Sequence, residues 1–252
     1  MVALEIMTCR PLNDRGMSRS NEPPGMTPAE SFISTNTHPG TAPHVPEITL
    51  YLASEITPIW QATESWLAEN NVDPPFWAFA WPGGQALARL ILDNPALVAG
   101  KRVLDFAAGG GIAAIACAQA GAASVEAAEI DKLARAAIAL NAELNQVNVQ
   151  PLGDVVGSDC RWDLILCGDV CYDAGMTGHI MPWLTTMAAG AEVWVADPGR
   201  TYLPRSDLTS FAHYRIITTL ELEDRPHRDV TLYRLGGLPP PPNGMPLIRT
   251  PV

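Results

Sequence analysis

The side chains with the clearest chemical potential surround a glycine-rich turn near the middle of the chain. Gly109 to Gly111 follow a short apolar segment that predicts a buried strand, and Ile112 opens a run typical of a helix. Glycines let the backbone turn sharply and approach a ligand closely, while a helix N-terminus adds partial positive charge. Two carboxylates flank the turn: Asp105 just before it, and Glu129 at the end of the next predicted strand. The arrangement predicts a nucleotide-like cofactor whose ribose hydroxyls donate hydrogen bonds to Glu129.

Two kinds of cofactor satisfy this turn. The stretch from Gly109 to Ala114 matches G-x-G-x-x-A, the fingerprint of dinucleotide-binding folds, and Glu129 has the matching spacing. Asp105 would repel a pyrophosphate, however, whereas S-adenosylmethionine carries an ammonium group, a sulfonium group and no phosphate. An acid in that place therefore favours the cationic amino-acid portion of S-adenosylmethionine. We expect S-adenosylmethionine, and a glycine turn without any ligand is the plainer alternative.

A second group of polar side chains follows the apolar strand predicted from Trp162 to Leu166. Asp169 and Tyr172 come directly after it. Because the carboxyl ends of neighbouring parallel strands meet at one edge of a sheet, both residues are expected to face the methyl donor. Arg200 ends the sequence Asp-Pro-Gly-Arg behind another apolar strand and is expected to overlook the same edge. The alternatives are a helix-capping acid at Asp169 and a plain tight turn at Arg200.

Apolar and amphipathic segments alternate through most of the chain, as in an α/β fold. The predicted strands are 48–52, 103–104, 124–128, 147–149, 162–166, 192–196, 214–220 and 230–235, and the predicted helices are 57–70, 82–94, 112–120, 132–145 and 176–187. This alternation predicts a doubly wound, mostly parallel sheet with helices on both faces, closed by an antiparallel pair of C-terminal strands. Ligands of such sheets bind beyond the carboxyl ends of the strands, where the polar groups above lie.

The composition indicates one large acidic domain. The chain has 252 residues, of which 47% are hydrophobic, and 16 Lys+Arg against 27 Asp+Glu give a formal net charge of −11. A surface of that charge repels nucleic-acid phosphates and favours a basic partner. Five cysteines without a C-x-x-C pair, and no convincing signal peptide or spanning run, predict a cytoplasmic protein that binds neither nucleic acid nor membrane. We expect the domain over residues 31–235, a flexible extension over 1–30 and a proline-rich flexible tail over 236–252.

The chain resembles the electron-transfer flavoprotein β-subunit lysine methyltransferases and their bacterial relatives. The resemblance lies in blocks that occur in the same order, namely Trp77 to Leu87 (WAFAWPGGQAL), the glycine turn, Glu129 to Asp131, Leu140-Asn141, Gly168 to Asp173 (GDVCYD) and Asp197 to Arg200 (DPGR). It extends over roughly residues 32–235. It implies a monomeric, Rossmann-like, seven-stranded class I methyltransferase that uses S-adenosylmethionine to methylate lysines of electron-transfer flavoprotein β-subunit. Ala107 departs from the D-x-G-x-G-x-G motif of class I enzymes, which has a glycine at this position.

The resemblance and the predicted positions together define a candidate site. Asp169 and Tyr172 are predicted to be catalytic and to line the channel for the substrate amine. The predicted cofactor contacts are Trp81, Gly83, Asp105, Ala107, Gly109, Gly111, Glu129, Asp154 and Asp169. Glu47 and Arg200 are predicted to contact the protein substrate. The histidines and cysteines lack ligand spacing, so we expect no metal site.

Several alternatives stay open from the sequence. Asn141 either supports the backbone near the glycine turn or lies on a helix surface, and Asp154 is equally consistent with a turn residue. A small heteroaromatic such as nicotinamide could replace lysine as the substrate, and Asp169 would then matter less because a pyridine nitrogen needs no deprotonation. A nicotinamide-dinucleotide oxidoreductase and a non-enzymatic module with a decayed cofactor site are the remaining alternatives.

Overall fold

The computed structural model of the chain describes residues 26–54, 74–218, 225–236 and 248–249. The helices are α1 (Pro28–Asn36), α2 (Pro82–Asp93), α3 (Ile112–Gln119), α4 (Lys132–Leu144) and α5 (Ala174–Met187). The strands are β1 (His38–Ala42), β2 (Val45–Leu52), β3 (Arg102–Phe106), β4 (Ser124–Ala128), β5 (Gln150–Leu152), β6 (Leu164–Gly168), β7 (Glu192–Asp197), β8 (Leu208–Ile217), β9 (His227–Leu235) and β10 (Ile248–Arg249). Short 3-10 turns cover Phe76–Ala78 and Pro95–Leu97.

The large sheet has the strand order β8-β9-β7-β6-β3-β4-β5, and the two residues of β10 extend it beside β8. The five strands from β7 to β5 are parallel, whereas β9 runs antiparallel to both β7 and β8. This is the sheet that the sequence predicts: mostly parallel, with helices around it and an antiparallel C-terminal pair. The order places β3 beside β6, so the glycine turn and the loop after β6 open at the same edge.

The two faces of the sheet carry separate apolar clusters, as the period-two alternation of a strand requires. In β6, Leu164 and Leu166 face the cluster that includes α2, α3 and α4, while Ile165 and Cys167 face the cluster built on α5. All four side chains are fully buried. The continuous apolar character of β6 in the sequence therefore reflects burial on both faces.

The β1–β2 hairpin forms a two-stranded sheet of its own and docks on α4 through side chains. The amide of Asn145 pairs with the backbone of Thr49 in both directions, accepting from its N–H at 3.0 Å and donating to its carbonyl at 2.6 Å. An asparagine side chain thus takes the place that a neighbouring strand would fill, and it satisfies the edge of β2.

The helix predicted over residues 57–70 lies outside the described residues. Most other elements agree with their predicted positions within a few residues, and two differ. The strand predicted at 147–149 is wrong, because the N–H of Val147 donates to the Ala142 carbonyl and so ends α4, and the strand forms at Gln150–Leu152 instead. β8 begins at Leu208, earlier than predicted, because it pairs with the whole length of β9. α1 begins at Pro28, within the segment predicted as an extension.

Within the described parts of the chain, no helix combines the length and the apolar character that crossing a membrane requires.

Candidate active site

The glycine turn leaves β3 with three residues in the left-handed region of backbone space. Ala107, Gly109 and Gly111 have φ values of 53°, 54° and 79°. Glycine adopts this region without penalty, whereas an alanine there is strained. Ala107 therefore keeps the backbone shape of the glycine that class I motifs carry at this position, at some cost in stability. The turn ends where Gly111 begins α3.

Asp105 lies beneath this turn and is almost completely buried. Its Oδ2 accepts a hydrogen bond from the N–H of Ala114 at 2.9 Å, in the first turn of α3. Burial raises the pKa of Asp105 to about 7; the Ala114 N–H opposes this rise and the nearby charge of Glu129 adds to it. The carboxyl also lines the cavity described below, so it faces both the helix and the space that a cofactor would fill.

Glu129 closes the other side of the turn. Its Oε2 accepts from the N–H of Gly109 at 3.1 Å, and its Oε1 accepts from the N–H of Ile130 at 2.8 Å. Burial raises the pKa of Glu129 as well, against the effect of these backbone donors. Arg135 fixes the segment by donating to the carbonyls of Glu129 and Ile130. The carboxylate is thus held beside the glycine turn, in the place predicted for ribose recognition.

Ile130 is a functional candidate that the sequence reasoning missed. Its side chain is 76% exposed directly after Glu129, although isoleucine is normally buried. An apolar surface beside a ribose-binding carboxylate suits the face of a purine base. Its signal in the sequence was its position, an aliphatic residue between two acids at the end of a strand.

Asn141 supports the glycine turn and does not lie on an exposed helix surface. It is fully buried, and its Nδ2 donates to the carbonyl of Gly110 at 2.8 Å. Its Oδ1 accepts from the N–H of Tyr51 at 2.8 Å. One side chain therefore connects the hairpin, α4 and the cofactor turn, and the prediction of a supporting role is confirmed.

Asp169 stands at the carboxyl end of β6, in a left-handed conformation with φ 57°. Its Oδ2 accepts a hydrogen bond from the N–H of Gly83, and its Oδ1 lies 2.9 Å from Nη2 of Arg200. Asp173, further along the same loop, accepts from the N–H of Met176 and caps α5. Asp173 therefore caps the helix that follows this loop, whereas Asp169 accepts from an N–H in the first turn of α2. The helix-capping alternative describes the observed contact of Asp169, and its catalytic role stays a prediction.

Gly83 and Gly84 allow the start of α2 to lie against the ends of β6 and β7. A Cβ on Gly83 would be 2.7 Å from the carbonyl oxygen of Ala196 and in closer conflict with Asp169. A Cβ on Gly168 would lie 3.0 Å from the backbone nitrogen of Gly84. Gly83 is a predicted cofactor contact, and the structure gives its N–H to Asp169, while Gly84 lines the cavity.

Aromatic side chains form the rim of the site. Trp81 lines the cavity, and its Nε1 donates to the carbonyl of Phe76 at 2.7 Å. The rings of Phe76 and Tyr172 lie 5.9 Å apart, and each of these residues is 49% exposed. Tyr172 is thus half-buried in the loop after β6 and packs against Phe76, which comes from the segment that precedes α2. Neither residue belongs to the cavity lining, and the predicted role of Tyr172 stays a prediction. Sequence reasoning missed Phe76 because nothing marks it apart from other aromatic residues of that segment.

These elements border an open cavity between the glycine turn and the start of α2. It is lined by Leu50, Phe79, Ala80, Trp81, Gly84, Leu87, Asp105, Ala107, Ala108, Gly109, Gly110, Ile112, Ala113 and Gly168. Glycine backbone on one wall, apolar side chains around it and carboxylates without a cationic partner among the described residues fit S-adenosylmethionine, which is cationic at its amino-acid end.

Two predicted site residues lie outside the cavity lining. Glu47, predicted to contact the protein substrate, is exposed and pairs with Arg89 of α2 at 2.8 Å, and Arg89 also pairs with Asp93. Its contact with the substrate stays a prediction. Asp154 is exposed and accepts from the N–H of Val156 at 2.9 Å, as a turn residue does. For Asp154 the structure gives the alternative that the sequence left open.

Comparisons with known proteins show which proteins the chain is similar to. The profile of the ribosomal protein L11 methyltransferase family, PrmA, matches residues 86–168. A protein of Xenopus laevis named electron transfer flavoprotein beta subunit lysine methyltransferase is 42% identical over 178 residues, 68% of this chain and 70% of that protein. The protein of Danio rerio with the same name is 37% identical over 208 residues, 77% of this chain and 78% of its own length. Among solved structures, magnesium protoporphyrin IX methyltransferase of Synechocystis has a TM-score of 0.45 at 14% identity and covers 61% of this chain and 82% of that one.

Proposed function

The chain belongs to the electron transfer flavoprotein beta subunit lysine methyltransferase family, and from that premise we propose that it methylates lysine side chains of the electron transfer flavoprotein β subunit. The protein is an S-adenosylmethionine-dependent methyltransferase that acts on protein lysines. This identity leaves no place for the dinucleotide oxidoreductase alternative. The family names of relatives that span most of the chain carry the proposal, and the position of Asp169 beside the cavity supports it.

The glycine turn and the loop after β4 supply the residues that would hold the cofactor. S-adenosylmethionine, when bound, supplies an electrophilic methyl group on a sulfonium. Glu129 would accept hydrogen bonds from the ribose hydroxyls, Ile130 would pack against the base, and Asp105 would attract the ammonium group. The glycine turn lets the backbone approach the ligand closely, and Trp81 covers it from the opposite wall.

The substrate lysine would pass along the contacting rings of Phe76 and Tyr172 and meet Asp169. Both rings are half-exposed and could contact the methylene stem of a lysine, while a carboxylate attracts its amine. A free lysine has a pKa of about 10.4, so its amine must lose a proton before it can attack. The protein therefore has to orient the amine and to favour its neutral form.

The charge of the chain supports a protein substrate with basic character. With a net charge of −11, the surface attracts a lysine-bearing partner and repels nucleic acid. Cys117, Cys160, Cys167 and Cys171 are free thiols, which suits a reducing compartment such as the cytoplasm. We propose that the enzyme acts there as a monomer.

Mass spectrometry of electron transfer flavoprotein treated with the protein and S-adenosylmethionine tests the proposal. We expect methyl groups on lysines of the β subunit and none on the α subunit. Parallel reactions should omit the cofactor, replace the substrate with nicotinamide, or use the variant Asp169→Asn. Methylation of nicotinamide at a higher rate than of the β subunit, or no methylation of the β subunit by the wild-type protein, would overturn the assignment.

A further inference from the structure

The carboxylate that would receive the substrate amine already has a cationic partner within the chain. Nη2 of Arg200 lies 2.9 Å from Oδ1 of Asp169, and the two side chains are only 22% and 9% exposed. The other carboxylate oxygen accepts from the N–H of Gly83. At a contact this sheltered from water, the charge of the guanidinium acts strongly on anything that joins Asp169.

A tight turn after β7 holds Arg200 beside Asp169. Oδ1 of Asp197 accepts from the N–H groups of both Gly199 and Arg200 at 2.7 Å. Gly199 adopts φ 90°, which glycine allows without strain. The Asp-Pro-Gly-Arg sequence therefore directs Arg200 from the end of β7 across to the end of β6, where it contacts Asp169.

We propose that Arg200 is a positioning residue for methyl transfer, which neutralises Asp169 and so drives the bound substrate lysine to give up its proton. This inference rests on the proposed function and deepens it. An unaccompanied carboxylate would favour the ammonium form of the lysine, which has no lone pair for attack. With the guanidinium present, the pair carries no net charge and stabilises an ammonium much less than a lone carboxylate would, while the neutral amine can still donate a hydrogen bond to Asp169.

Protons and electrons balance in the proposed transfer step. The ammonium releases its proton to water as the lysine enters beside the Asp169–Arg200 pair. The nitrogen lone pair then forms the bond to the methyl carbon while the carbon–sulfur bond breaks, and that electron pair remains on sulfur. The methylated amine gains a positive charge in this step, and its attraction to Asp169 is weakened by Arg200, which favours product release.

Other titratable groups lie near the pair, and the experiment has to separate their effect on the pH profile from that of Arg200. From the loops after β4, β6 and β7 these are Glu129, Cys171, Tyr172, Asp173, Asp197 and Arg205. Burial raises the pKa of Asp197, and Arg200 and Arg205 oppose that rise. Arg205 is exposed in the same loop as Arg200 and makes a matched control, because its removal changes the net charge equally without touching Asp169.

The test is the pH dependence of kcat on the β subunit for the wild type, Arg200→Gln, Arg200→Lys and Arg205→Gln. For Arg200→Gln we expect the ascending limb to move to higher pH by about one unit or more, which is about tenfold in kcat at neutral pH, with convergence at high pH. Arg200→Lys should restore most of the wild-type profile because it keeps the charge, and Arg205→Gln should leave the profile in place.

A second measurement separates this role from simple structural support. With S-adenosylhomocysteine present, Arg200→Gln should bind the β subunit as tightly as the wild type or more tightly, because Asp169 then holds the ammonium form. An equal loss of kcat at every pH, or loss of S-adenosylhomocysteine binding by Arg200→Gln, would overturn the inference. A wild-type enzyme that fails on the β subunit would instead refute the proposed function, so the two failures are distinguishable.

Discussion

The two halves of the site treat negative charge in opposite ways. In the half formed by the loops after β3 and β4, Asp105 and Glu129 are bonded to backbone N–H groups and, among the described residues, to no Lys or Arg side chain. In the half formed by the loops after β6 and β7, Asp169 is paired with Arg200. We call these the cofactor half and the transfer half.

The difference teaches what each half is built to receive. Buried carboxylates with raised pKa values gain stability when a cation arrives, so the cofactor half is prepared for the charged portion of S-adenosylmethionine. In the transfer half, Asp169 and Arg200 together carry no net charge before the substrate arrives. This half therefore favours the neutral amine more than an unpaired carboxylate would. The cofactor half thus binds a cation, whereas the transfer half favours loss of the proton from the substrate ammonium. Both halves depend on aspartate or glutamate at strand ends.

The sharpest way to break this comparison is Asp169→Asn. Asparagine tolerates the left-handed conformation at this position and keeps the size of the side chain, so the fold should be retained. We expect kcat to fall by about 100-fold, because the charged acceptor that orients the amine is replaced by a neutral amide that offers only one acceptor oxygen. Calorimetry with S-adenosylhomocysteine should give nearly the wild-type Kd. A variant with full turnover would remove Asp169 from the transfer half.

The converse change is Glu129→Gln in the cofactor half. Loss of the charged acceptor should weaken S-adenosylhomocysteine binding by about tenfold or more, since hydrogen bonds to charged groups contribute about 1.5–3 kcal/mol. At saturating cofactor, kcat should stay close to that of the wild type. Arg135→Gln is a useful companion, because it loosens the same loop without removing the carboxylate. A large fall in kcat with unchanged affinity would contradict the division into halves.

The cofactor half should also respond to pH. Because burial raises the pKa of Asp105 to about 7, the carboxyl becomes protonated as the pH falls through that value. A cation binds the ionised form, so affinity for S-adenosylmethionine should fall as the pH drops below about 7, by up to about tenfold per unit, and level off above it. Calorimetry across this range should give a flatter profile for Asp105→Asn. A pH dependence of affinity that remains in Asp105→Asn would come from Glu129. An unchanged pH dependence would exclude Asp105 as the titrating group.

The smallest expected effect concerns Ala107. Replacing it with glycine relieves a left-handed alanine but gives the unfolded chain more freedom, so the net gain in unfolding free energy should be within about 1 kcal/mol. Thermal melting would measure it, and the kinetic constants should not change. A marked gain in cofactor affinity would mean that the alanine distorts the turn and that the cofactor half is not optimally shaped.

The sequence was sufficient for the sheet and for the edge at which the site lies, because alternation of strands and helices fixes where loops meet. It was also sufficient to place Asp169 and Glu129, since each directly follows a strand. It did not predict that Arg200 pairs with Asp169, because the contact joins two loops and depends on a turn held by Asp197. Local spacing carries no information about such a pairing.

Glycine positions illustrate the same limit in another way. The Trp-Pro-Gly-Gly block indicated a close approach of backbone, and the close approach exists, but at Gly83 its partners are Asp169 and Ala196. A glycine in the sequence indicates that another group lies close to the backbone, but it does not identify that group. The sequence also did not predict the ion pair between Glu47 and Arg89, because these residues are 42 positions apart and meet only through tertiary packing.

The docking of the β1–β2 hairpin has a consequence for how such enzymes can diversify. Side chains connect the hairpin to the sheet domain: Asn141 and Asn145 bond its backbone, Arg89 bonds Glu47, and Val45, Ile48 and Leu50 pack into the core. Among the described residues, no ladder of backbone pairs joins the hairpin to the large sheet. An attachment of this kind tolerates insertions and drift at the exposed positions of the hairpin as long as these side-chain contacts persist. Lineages can therefore remodel this accessory piece at its own evolutionary pace while the machinery underneath stays intact.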